Sequence, residues 1–94
     1  MAQPLTYPKR RARAEKALDE MQTIVNQITT NTPGRERGRL LHLAQGRNAA
    51  VRAALARVAA GQFGRGNYTD AQRREAGQIL KRAAKLYTHA RRFS

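Results

Sequence analysis

Apolar residues recur at three- and four-residue steps in three stretches of this chain, and polar or glycine-rich segments separate them. In the first stretch Ala14, Leu18, Met21, Ile24, Val25 and Ile28 fall on one helix face. The spacing predicts a helix over about 8–30, with Thr6 as its cap and Pro8 in its first turn. The run Thr29, Thr30, Asn31, Thr32 is poor helix and good loop. A second helix is expected over about 33–60, with Thr32 as N-cap and Pro33 at the first helical position. Its stripe is Leu40, Ala44, Val51, Leu55 and Val58, with Leu41 and Ala54 at the margins. Its opposite face carries Arg35, Arg39, Gly46, Ala49, Ala53 and Arg57. The middle of that face is small enough for a helix or a nucleic-acid backbone to approach closely. A third helix, about 69–92, opens with the capping-box pattern of Thr69 and Gln72, and Asp70 favours its positive end. Ala76, Ile79, Leu80, Ala83, Tyr87, Ala90 and Phe93 form its stripe.

Three amphipathic segments, short connections and no strand pattern predict an all-α fold, a small three-helix bundle. With 94 residues the chain is a single domain, and residues 1–8 read as a flexible arm. The absence of cysteine excludes disulfides and thiolate metal sites. No run approaches the roughly 18 apolar residues of a membrane span, and the basic N-terminal residues are not followed by the apolar core of a secretory signal. A cytoplasmic protein with no membrane partner is the expectation.

Charge changes the picture most. Nineteen basic residues, fifteen of them arginine, face six acids, for a net charge of +13. Such an imbalance attracts polyanions, with nucleic acid the leading partner and an acidic protein surface the next. The acids Glu15, Asp19, Glu20, Glu36, Asp70 and Glu75 leave 37–69 and 76–94 without any negative side chain. On the third helix Arg74, Lys81, Lys85 and Arg92 align opposite the apolar stripe, flanked by Arg82, His89 and Arg91. An ordinary solvated face mixes signs, because opposite charges at (i, i+4) support a helix. This one does not, and it reads as a phosphate-tracking surface.

A second basic cluster, Lys9, Arg10, Arg11 and Arg13, precedes the first stripe and suits an arm that orders on RNA or lies along a DNA groove. About nine residues there, chiefly Arg13-Ala14-Glu15-Lys16 with the arginines before them, resemble the arginine-rich peptide of lambdoid N-type antiterminators. Those antiterminators are otherwise largely disordered, whereas this chain reads as folded. The loop "GQFGRG", residues 61–66, matches the bare G-x-x-G of KH domains, yet the β-sheet of that fold has no counterpart here. Arg65 between two glycines is a candidate contact, while Gly61 suits a helix C′ position and Phe63 a cap on the core. No single motif names a family.

Catalysis finds little support. His42 and His89 sit on different segments, and no H-E-x-x-H motif, paired carboxylates or metal-binding acid cluster is present. A non-enzyme with no cofactor is expected. The leading reading is a small basic protein that binds DNA or RNA through phosphates with weak sequence specificity, of the kind found as phage or plasmid accessory proteins. The candidate nucleic-acid-binding residues are Arg74, Lys81, Arg82, Lys85, Arg92, Lys9, Arg10, Arg11, Arg13 and Arg65. Two alternatives stand beside it. One is an interaction module, an inhibitor of host machinery or a virion component, docking on an acidic protein surface and self-associating through its alanine- and glycine-rich face. The other is a dimeric helix-turn-helix repressor, with the turn at Gly46 and the recognition helix over 47–58.

Overall fold

The computed structural model describes residues 6–61 and 68–92. Three helices follow in chain order: α1 (Tyr7–Asn26), α2 (Gly34–Ala59) and α3 (Asp70–Arg91). They form an all-α three-helix bundle, with no strand among the described residues. The longest helix, α2, packs closely along both others, and α1 and α3 meet more sparsely. The bundle is elongated, 49 × 24 × 16 Å between Cα extremes.

The apolar stripes converge on one core. Leu40, Ala44, Val51, Leu55 and Val58 of α2 are all buried, as are Ala14, Met21 and Val25 of α1 and Ala76, Ile79, Ala83 and Ala90 of α3. Leu18, Ile24, Leu41, Ala54, Leu80 and Tyr87 pack at its edge, half-buried. Several of the fully enclosed positions are alanine, so the helices approach closely, and the volume comes mainly from Met21, Leu40, Leu55, Val51 and Val58. Each large apolar side chain contributes about 2 kcal/mol by leaving water. Tyr7 and Tyr68 join the core at the helix starts and meet edge to face, ring centroids 6.3 Å apart.

Two helix boundaries differ from the pattern-based expectation. α1 ends at Asn26 rather than near Thr30. The amides of Gln27 and Ile28 donate to Ile24 and Val25, tightening the last turn. Thr32 then folds back, its hydroxyl donating to the Gln27 carbonyl and accepting from the Thr29 amide. With that hydroxyl engaged in the loop, Thr32 does not cap α2. Pro33 holds the N-cap position with ψ 147, and Gly34 is the first helical residue. The capping box of α3 forms as expected: the Gln72 amide donates to Thr69 Oγ1 at 3.1 Å, and the Thr69 amide donates to Gln72 Oε1 at 2.9 Å. Gly61 takes the left-handed conformation, φ 70, one residue beyond the α2 C-cap Ala60, as a C′ glycine does. α2 runs unbroken through Gly46, so the turn that a helix-turn-helix motif needs there is not formed.

Candidate nucleic-acid interface

The basic surface takes its form from α3. With Ala76, Ile79, Ala83 and Ala90 turned inward, residues half a turn away must face water. Arg74, Lys81, Lys85 and Arg92 are all exposed and follow one line along the helix. At about 1.5 Å per residue that line is roughly 27 Å long. Among the described residues none of the four makes a side-chain hydrogen bond or an ion pair. Arg82 is likewise exposed and unpaired on the flank facing α1. Arg91 turns to the other flank, its guanidinium 5.9 Å from the Tyr87 ring centroid.

Five of the six acids are each paired with an arginine that is not part of this line. Glu15 pairs with Arg11 at 2.9 Å, Glu20 with Arg47 at 2.8 Å, and Glu75 with Arg11 at 3.4 Å. Glu36 pairs with Arg39 and Asp70 with Arg73. The hydrogen bonds from Arg39 hold the Glu36 carboxyl below its usual pKa, and Glu15 raises that of Arg11 by accepting its hydrogen bond. Asp19 is the one acid outside an ion pair among the described residues.

The N-terminal cluster divides in two. Lys9 and Arg13 are exposed, and Arg13 borders the α1–α2 groove beside Ala50 and Ala53. Arg10 is half-buried and ties three elements together: Nε donates to the Tyr68 hydroxyl at 2.9 Å, and Nη1 to the Ala54 carbonyl at 3.2 Å. Arg11 bridges Glu15 on its own helix and Glu75 on α3. Beside it the Tyr7 hydroxyl donates to Glu75 Oε1 at 2.6 Å. Burial raises the Tyr7 pKa well above the ordinary phenol value, and the hydrogen bond to Glu75 and that carboxylate's charge push it in the same direction. Arg10 and Arg11 therefore serve as a clamp between helix starts. Arg65 lies outside the described residues.

Grooves flank the α3 ridge on both sides. Towards α2, Lys81 faces Arg52 across a floor of Ala56, Leu80 and Ala84. Arg52 was not a candidate from the sequence pattern. Its signal is its place between Asn48 and Ala56 at four-residue steps, which aligns it with the margin of α2 that meets α3. Towards α1, Arg82, Lys85 and His89 face Asp19 and Gln22 across Leu18 and Leu86. Among the described residues no group of three or more His, Asp or Glu side chains could hold a metal ion, and no helix is long and apolar enough to cross a membrane. No protein-family model, curated protein or solved structure matches this chain.

Proposed function

We propose that this chain is a non-catalytic nucleic-acid-binding protein that holds phosphates along the exposed ridge of α3. The observation that carries the reading is that Arg74, Lys81, Lys85 and Arg92 have no partner among the described residues, in a bundle where five of the six acids are bound to other arginines. Like charges one turn apart, such as Lys81 and Lys85, cost a helix a few tenths of a kcal/mol. A polyanion laid along them turns that cost into attraction and releases its counterions. Arg82, Arg52, Lys9 and Arg13 extend the positive surface. Phosphate contacts of this kind position a strand without reading its sequence, so weak sequence specificity is part of the proposal.

The test is fluorescence anisotropy of nuclease-treated protein with labelled single- and double-stranded DNA and RNA, between about 50 and 300 mM salt. Tight binding at low salt that weakens steeply as salt rises supports the reading. Absence of binding at the low end, despite a net charge of +13, overturns it and points to an acidic protein partner.

A further inference from the structure

We infer that the groove between α1 and α3 receives an unpaired nucleobase bearing an exocyclic amino group, seated there while the backbone of the same strand lies on the α3 ridge. The inference rests on the phosphate-binding reading and adds to it a strand type and a base preference.

The groove has two unlike walls. Its α3 wall carries three basic side chains, Arg82, Lys85 and His89, and Lys85 also belongs to the ridge. A nucleotide whose phosphate rests on Lys85 thus has a cavity next to it on the α1 side. The floor is aliphatic, formed by the half-buried Leu18 and Leu86, which suits the flat face of a base. The α1 wall supplies acceptors. Asp19 has no ion pair among the described residues, although cations line the same groove. Gln22 donates its amide to Asn26 Oδ1 at 2.7 Å, which leaves its own amide oxygen to accept.

These acceptors select against some occupants. A carboxylate repels a phosphate, so the anionic part of a ligand stays at the α3 rim and a neutral part enters. An amino group offers two N–H donors, matching Asp19 and the Gln22 oxygen. Cytosine presents such a group, whereas uracil presents a carbonyl oxygen at the same ring position, which faces Asp19 acceptor to acceptor. A base in a duplex is stacked between its neighbours and has one amino N–H engaged in pairing, so it cannot lay its face on the floor of the groove. The ligand is therefore single-stranded, with cytosine preferred over uracil.

The experiment compares labelled cytidine and uridine 12-mers, identical in backbone and sugar, for the whole protein and for Asp19→Asn at about 50 mM salt. Wild type is expected to bind the cytidine strand at least about fivefold more tightly, the lower end of a good base contact. Asp19→Asn should bring that ratio close to one while keeping or raising affinity for both strands, since an asparagine amide can turn to suit either base. Because Asp19 is exposed and makes no ion pair among the described residues, the substitution leaves the fold intact. Equal wild-type affinities, or a preference that survives Asp19→Asn, overturn the inference and leave phosphate binding standing. Failure of wild type to bind either strand overturns the phosphate reading, and this one with it.

Discussion

Arg10 and Arg11 on α1 carry the same charge as Lys81 and Lys85 on α3, yet the bundle treats the two pairs differently. The first pair is drawn into the fold: Arg10 reaches the Tyr68 hydroxyl and the Ala54 carbonyl, and Arg11 spans Glu15 and Glu75. The second pair stands in water with no partner among the described residues. A count of basic residues cannot separate these roles, whereas pairing can. Cations near an acid or a carbonyl support the helix starts, and cations left unpaired on one continuous line are available to a ligand.

Four substitutions test this contrast. The largest effect sets the scale. Leu55→Ala empties a fully buried position and should cost about 3 kcal/mol, lowering Tm by at least about 12 °C in calorimetry. Strand affinity measured well below the new Tm should not change. Next comes Arg10→Ala, which removes two long-range hydrogen bonds made by a charged group. Chemical denaturation should show a loss of about 2 kcal/mol. An Arg10 variant as stable as wild type would show that Arg10 does not clamp the helices.

Tyr7→Phe is the third and should cost about 1 kcal/mol at neutral pH, through the lost hydrogen bond to Glu75. Its pH dependence has a definite sign. The folded state holds the Tyr7 proton above the phenol's ordinary pKa of about 10, so the unfolded chain ionises first as pH rises. The stabilising contribution is complete below about pH 10 and is lost above it. The stability gap between wild type and Tyr7→Phe should therefore narrow from pH 9 towards 11, followed by melting temperature. A gap that widens would show the phenol shifted the other way. The smallest effect lies on the ridge. Lys85→Gln relieves a like-charge pair at (i, i+4) and should raise stability by roughly 0.3 kcal/mol while weakening strand binding. A loss of stability from that change would mean that Lys85 supports the fold.

The helix pattern made most of the fold legible. All five stripe positions of α2 are buried, because period and burial are the same information for a helix packed on both flanks. The Thr69–Gln72 cap was legible for a similar reason: its partners lie three residues apart. The end of α1 was not. The hydroxyl of Thr32 decides it, through loop hydrogen bonds with the Thr29 amide and the Gln27 carbonyl that compete with helix and leave no periodic trace. The ridge was readable as positions on α3, since Arg74, Lys81, Lys85 and Arg92 need only one helix to align them. The division among Lys9, Arg10, Arg11 and Arg13 was hidden, because Tyr68, Ala54 and Glu75 come from other elements. The same holds for the groove of Asp19 and Lys85, which exists only once α1 and α3 are packed.

Binding by the unpaired cations of the α3 ridge is tested by two double variants of equal charge. Lys81→Gln with Lys85→Gln removes two unpaired cations, and Arg39→Gln with Arg47→Gln removes two that are paired with Glu36 and Glu20. Each lowers the net charge of +13 by two. The measurement is the slope of log affinity against log salt for one labelled strand. The ridge variant should lose about two units of slope and at least about tenfold in affinity at moderate salt, while the paired-arginine variant keeps a slope close to wild type. Equal losses in the two variants would mean that net charge alone attracts the strand, and would contradict the assignment of binding to the α3 ridge.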